Sequence, residues 1–208
     1  LAFYDQVVKS APKSAQSKSA LQGIKEIYVA EGNADGYFDY AQNMGLESNV
    51  SQMTRDSMAY VSAQKLYLEN KMEAATASLS SYLKNYPQGY YRNDALFYLS
   101  DCYVRAGNEA EAIVSLSELA EQGQTQYSER VLEKLSSMCY KSERWAEAAK
   151  AYRSLYDVTS DAKLKKSSAS GYVASTLKYA DDETLLKMAD DAEKMTVMTD
   201  VARRKARY

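Results

Sequence analysis

The segment YLKNYPQGYYRNDALFYLSDCYVRAGNEAEAI, which spans residues 82–113, contains one of only two prolines in the chain, Pro87. Residues typical of helices lie on both sides of it. A proline just beyond a helix cannot continue that helix, and Gly89 supplies a turn residue directly afterwards. The segment therefore predicts that one helix ends before Pro87 and that the next begins near Arg92 or Asn93.

The second half of this segment contains the apolar spacing of a pair of helices. Leu96, Leu99 and Tyr103 stand three and four residues apart, so they share one face of a helix. A polar break follows at Gly107. Ala112 then starts the apolar face of a second helix, which predicts two consecutive helices that pack on each other.

The same pair recurs on both sides of the segment with a regular period. Its anchoring alanines, which are 37 and 36 residues apart, are Ala75, Ala112 and Ala148. A polar break precedes each alanine, and the flanks repeat the pattern more weakly, so the predicted breaks are Gly32, Asn70, Gly107, Ser142 and Asp181. A period of this length indicates stacked helix pairs and an all-α fold.

Composition agrees with a helical chain and excludes several function classes. The 208 residues include only 8 Gly and 2 Pro, and the formal net charge is −2. The charge gives the chain as a whole no electrostatic reason to bind nucleic acid. Because the sequence contains no apolar stretch of about 18 residues, we expect no direct membrane insertion.

The paired helices resemble the tetratricopeptide repeat, whose pattern joins spaced apolar residues in a first helix to an alanine, an aromatic residue and a proline. The resemblance is best over residues 59–119. It implies a right-handed α-solenoid of antiparallel helix pairs, in which the first helix of each pair lines a concave groove. It also implies a non-catalytic scaffold for protein–protein interaction, whose partner is a protein or a peptide.

The repeat pattern divides the chain into consecutive units. We expect a single repeat array over 1–208, an excerpt of a longer chain, because a partial repeat at either end would leave an apolar face uncovered. The predicted units are 1–13 (partial), 14–53, 54–90, 91–126, 127–160, 161–195 and 196–208 (partial).

The segment from Tyr82 to Ile113 is also similar to one branch of this superfamily. Its members are bacterial cell-envelope proteins: accessory proteins of the Tol–Pal system and repeat-containing lipoproteins of outer-membrane assembly. The resemblance covers mainly residues 60–119. It implies a periplasmic or outer-membrane-associated location.

The sequence offers few groups for catalysis or for metal binding. It contains no histidine, which is the commonest acid–base residue, and its carboxylates are dispersed. Cys102 and Cys139 fall inside first helices, where we expect buried, unreactive free thiols. We therefore expect no enzyme activity, no metal site and no cofactor in this segment, although an active site elsewhere in a longer chain stays open.

Residues of the first helices that do not face the core are the candidates for partner binding. We expect them to form an aromatic groove for an extended or helical peptide, because Tyr and Arg carry much of the energy of protein interfaces. The candidates are Tyr28, Tyr60, Gln64, Tyr67, Phe97, Asp101, Arg105, Arg130 and Tyr140. The alternative is that these rings pack between neighbouring first helices, in which case the segment is a structural spacer or a self-association segment without a groove ligand.

Overall fold

The computed structural model describes residues 1–12, 14–45 and 51–194, and over these ranges the chain is all-α, without a strand. The predicted fold class is thereby confirmed. The chain divides into two compact units, which we call unit 1 (Leu1–Asn108) and unit 2 (Glu109–Tyr208). The boundary falls inside the predicted repeat 91–126, and the expectation of one array over the whole chain stays a prediction.

Unit 1 contains six helices within the residues described. They are α1 (Ala2–Ser10), α2 (Ala15–Ala30), α3 (Ala34–Asn43), α4 (Gln52–Leu68), α5 (Met72–Asn85) and α6 (Arg92–Arg105). Consecutive helices pack on each other, and the first helices α2, α4 and α6 lie side by side. Because three-residue connections join α2 to α3 and α4 to α5, each of these pairs is an antiparallel hairpin.

Unit 2 contains five helices in its described part. They are α7 (Glu109–Glu121), α8 (Ser128–Lys141), α9 (Trp145–Val158), α10 (Ala162–Tyr179) and α11 (Asp182–Lys194). Here α8 packs on α7 and α9, and α10 packs on α9 and α11. The predicted start of a further first helix in 196–208 lies outside the described residues.

All five predicted breaks are confirmed within three residues, and four of them share one backbone geometry. Each of the four holds a residue with positive φ just past the first helix: Gly32 (73°), Asn70 (60°), Gly107 (76°) and Glu143 (56°). The N–H of the next residue donates to a carbonyl five residues back, as Lys71 does to Leu66 at 2.9 Å. This is the Schellman motif, which ends a helix and turns the chain.

Small residues are buried near the start of the second helices. Ala75, Ala112 and Ala148 are fully buried, as predicted. In unit 1, Ala75 shares a core with Ala59 and Ala63 of α4, and the larger residues Leu66 and Leu79 fill the space around them. Leu132, Leu135, Cys139 and Leu155 are the buried counterparts in unit 2.

The turn at Pro87 is built around a buried carboxylate on α4. Asp56 is only 6% exposed, and it accepts hydrogen bonds from the Tyr82 hydroxyl and from the Tyr90 N–H, the latter at 2.8 Å. The Tyr82 hydroxyl in turn accepts from the Tyr91 N–H at 3.1 Å. A buried charge is stable only when its oxygens are satisfied, so Asp56 and this turn depend on each other.

Position 89, in the turn after Pro87, has to be a small residue. A Cβ on Gly89 would lie 2.5 Å from the Tyr82 hydroxyl and 2.7 Å from Asp56 Oδ1. Both distances are shorter than van der Waals contact, so glycine is required by close approach here. The predicted helix end before Pro87 and the predicted start at Arg92 are both confirmed, because α5 ends at Asn85 and α6 begins at Arg92.

Candidate partner-binding surface

One surface of unit 1 brings together most of the predicted binding residues. It is formed by α4 and α6, which lie side by side as first helices. We call it the α4–α6 surface, and its members are Val61, Gln64, Tyr67, Leu68, Phe97, Asp101 and Arg105. These residues project from two rigid helices, a support that suits a binding site better than a loop does.

A polar network joins the two helices at the centre of this surface. The Tyr67 hydroxyl donates to Asp101 Oδ2 at 2.8 Å, and Arg105 Nε donates to the same oxygen at 2.6 Å. The Arg105 guanidinium also lies over the Tyr67 ring, 5.6 Å from its centroid. The network therefore fixes the orientation of one aromatic ring and one cation at the surface.

The electrostatics of the network follow from these contacts. Burial, together with the hydrogen bond to Asp101, raises the pKa of Tyr67, so this hydroxyl stays protonated at neutral pH. The hydrogen bond from Arg105 to Asp101, together with the charge of the Asp101 carboxylate, raises the pKa of Arg105. The Arg105 side chain is half exposed, so its ion pair with Asp101 contributes little to stability.

Gln64 of α4 makes two further polar contacts, one within α4 and one to α6. Its Nε2 donates to the Tyr60 hydroxyl at 2.9 Å and to the Tyr98 hydroxyl at 3.3 Å. The Tyr98 ring also packs on Tyr67, with 4.6 Å between ring centroids. Sequence reasoning missed Tyr98, because its position in the repeat is assigned neither to the core nor to the groove.

The structure corrects the prediction that Tyr60 lies on the binding surface. Its side chain is only 4% exposed, its ring stacks on Tyr91 at 4.4 Å, and it lies 5.8 Å from the Tyr82 ring. Tyr60 therefore belongs to the core of unit 1 under the Pro87 turn. The physical reason is that Tyr91, at the start of α6, covers it, and the repeat pattern of α4 alone does not include that contact.

The other predicted residues lie away from this network, or at its edge. Phe97 is half-buried and packs edge-on against Tyr98 at 5.8 Å. Tyr28 on α2 is half-buried beside Tyr40, at 6.5 Å. In unit 2, Arg130 is exposed on α8, and Tyr140 packs edge-on against Trp145 at 5.1 Å. The partner-binding role of all of these residues stays a prediction.

Two exposed apolar residues on the surface were absent from the predicted set. Val61 is 51% exposed and Leu68 is 69% exposed, and both neighbour Gln64 on α4 by helical spacing. Exposed aliphatic residues close to a fixed aromatic ring and a cation are typical of a protein-binding surface. The signal in the sequence is that Leu68 occupies the repeat position of Arg105.

Three further features of the described part of the chain concern metal-ligating groups, membrane-spanning helices and free thiols. Within it, no group of three His, Cys, Asp or Glu side chains could hold a metal ion. Of the helices in that part, none combines the length and the apolar composition needed to cross a membrane. Both cysteines are buried free thiols, as predicted.

We expect neither thiol to react in the folded chain. Burial raises the pKa of Cys139 to about 11 and also raises the pKa of Cys102, so both stay protonated at pH 8. Titration with a thiol-reactive chromogen at pH 8 should detect no fast-reacting thiol in the native protein, and two after unfolding in urea. Rapid labelling of Cys102 or Cys139 in the native protein would contradict the burial of that helix face.

Comparison with known proteins supports the repeat assignment for one part of the chain. A family model described as tetratricopeptide repeat matches residues 94–123. The match covers most of α6, the turn at Gly107 and all of α7. Together with the helix pairs on either side, it supports a tetratricopeptide-repeat protein. No curated protein matches the chain.

Proposed function

We propose that the chain is a protein-interaction scaffold and that the α4–α6 surface binds its partner. Proteins built from tetratricopeptide repeats generally mediate protein–protein interactions and are typically non-catalytic. The observation that carries the proposal is the exposed pair Val61 and Leu68 beside the fixed Tyr67–Asp101–Arg105 network. The pair offers apolar area, and the network offers an oriented ring and a cation without the entropic cost of ordering them.

The chemistry of this surface fits a peptide or a protein segment with apolar side chains and one acceptor. The aliphatic residues would bury the apolar part of the ligand, and the outer N–H groups of Arg105 would donate to its carbonyl or carboxylate. Asp101 already accepts from Tyr67 and Arg105, so it acts as a support for those two side chains.

The experiment that tests the proposal replaces the exposed apolar pair. Val61→Ser combined with Leu68→Ser should abolish partner capture from a cell extract and leave the melting temperature within a few degrees, because exposed residues contribute little to stability. Quantitative mass spectrometry of captured proteins is the readout. Leu186→Ser on α11 is the matched control, since Leu186 is similarly exposed at 57%.

Equal capture by the double variant and by the control would contradict binding at this surface. The structural spacer without a groove ligand would then be the better description. The envelope location that the sequence resemblance implies is likewise a proposal, and fractionation of cells that produce the full-length protein tests it.

A further inference from the structure

A groove between second helices of the repeats lies entirely inside unit 2. It is walled by the second helices α7 and α9, and the first half of α8 forms its floor, with a volume of about 620 Å³. The predicted binding residues all lie on first helices, and none of them belongs to this groove.

The floor of the groove is apolar and its middle is lined by small residues. Leu132 and Leu135 of α8 line it together with Ile113 of α7 and Ala151 of α9. Ser117 and Ser154 line it from the two walls. Because the serines are short, they leave a trough between the walls into which another apolar side chain can insert.

The charged residues on one wall of the groove are all acidic. Helix α7 reads EAEAIVSLSELAE, with four glutamates and no Lys or Arg, and two of the glutamates, Glu118 and Glu121, line the groove. The other wall is mixed. Its two cations each contact a carboxylate of the groove: Arg144 pairs with Glu147, and Lys150 Nζ lies 3.5 Å from Glu121 Oε1.

The ion pair that crosses the groove is not a barrier to a ligand. The side chains of Lys150 and Glu121 are 76% and 68% exposed, and exposed pairs of this kind contribute about 0–1 kcal/mol. A cation on the ligand can therefore replace Lys150 at Glu121 at little cost. Val114, 61% exposed at the same wall, adds apolar surface beside this position.

From the apolar floor and the acidic wall, we propose that the α7–α9 groove binds a short amphipathic helix of a partner protein. The apolar face of that helix contacts the exposed Val114 and enters the trough above the nearly buried Leu132 and Leu135, and Lys or Arg residues along one edge contact the glutamates of α7. The lining part of α7, residues 113–121, extends about 12 Å at 1.5 Å per residue, so two to three turns of the ligand are covered. This proposal rests on the proposed scaffold function, because it takes the ligand to be part of a partner protein.

The test uses defined peptides, so no partner has to be known. Three stapled helical peptides of about 14 residues share a leucine face at i, i+3, i+4 and i+7 and carry Lys, Gln or Glu at the flanking positions. Titration into ¹⁵N-labelled protein should shift the amides of Val114, Ser117 and Ser154. The Lys peptide should bind at least about tenfold more tightly than the Glu peptide, and added salt should reduce this ratio.

Two variants and one control make the result specific to the groove. Ser154→Trp fills the trough and should weaken the Lys peptide at least about tenfold, whereas Ser170→Trp on the exposed side of α10 should leave its affinity unchanged. Glu118→Lys combined with Glu121→Lys should reverse the preference, so that the Glu peptide binds more tightly. This charge reversal lies at the rim and keeps the test decisive if Ser154→Trp does not fold.

Three outcomes would overturn the proposal: no peptide shifts any amide of the groove, the flanking charge makes no difference, or the shifts map to the α4–α6 surface instead. All of these variants leave the α4–α6 surface intact, and the Val61/Leu68 variant leaves the groove intact. Failure of the groove is therefore distinguishable from failure of the proposed function.

Discussion

Asp56→Ala should destabilise unit 1, because each of the two donors that Asp56 satisfies loses its acceptor, at a cost of about 1–3 kcal/mol for each buried group left unsatisfied. The Tyr82 hydroxyl and the Tyr90 N–H both lose their acceptor, and the Pro87 turn loses its attachment to α4. Asp56→Asn should cost less, because its amide oxygen still accepts one of the two hydrogen bonds. Hydrogen exchange of the α5 and α6 amides at increasing urea concentration measures the loss in the free energy of unfolding of unit 1.

Two controls separate this effect from a general loss of charge. Asp39→Ala removes a carboxylate from an exposed position on α3 and should change stability by less than about 0.5 kcal/mol. The single tryptophan, Trp145, lies in unit 2, so its fluorescence reports on that unit while hydrogen exchange reports on unit 1. Equal stability of Asp56→Ala and Asp39→Ala would mean that the carboxylate of Asp56 is not part of the folded core.

Ala75→Leu should destabilise unit 1 by about 1–3 kcal/mol, because three extra carbon atoms have no space at the contact between α4 and α5. Ala75 is fully buried in the same core as Ala59 and Ala63. Ala77→Leu is the matched control, since Ala77 is exposed on the same helix and both variants keep good helix propensity. Thermal unfolding by circular dichroism compares the two, and an equal melting temperature would place Ala75 outside the contact.

The helix pairs could be predicted because their signals are local. The repeated alanines, the polar breaks and Pro87 each act on the backbone or on the nearest helix, so a single sequence displays them. The break at Glu143 could be predicted as well, although it lacks the glycine that this backbone geometry prefers.

The site could be predicted only in part, because its contacts join residues far apart in the chain. Tyr60 was placed on the surface by its helical position, but Tyr91, 31 residues later, covers it. Asp56 was overlooked because a carboxylate is usually exposed, and because its two donors, Tyr82 of α5 and Tyr90 of the Pro87 turn, lie 26 and 34 residues later in the chain. The α7–α9 groove exists because Ser117 and Ser154 are small. Serine is common on exposed helix faces, so these two residues do not mark a groove in the sequence.

The two proposed binding surfaces lie on different helices of the repeat. First helices carry the α4–α6 surface in unit 1, and second helices carry the groove in unit 2. A scaffold of this design can hold two partners whose contacts do not overlap on the chain. The Val61/Leu68 and Glu118/Glu121 variants are therefore expected to affect different partners in a capture experiment.

The recurring Schellman turn has a consequence for how the chain folds. The turns at Gly32, Asn70 and Glu143 each close a hairpin inside one unit through residues that are near neighbours in sequence, as Lys71 and Leu66 are. The contacts of a unit then join adjacent helices, which gives a low contact order and favours rapid folding. Structure can nucleate at any of these hairpins and spread to its neighbour, and one hairpin can open without unfolding the others. Hydrogen exchange resolves such openings hairpin by hairpin.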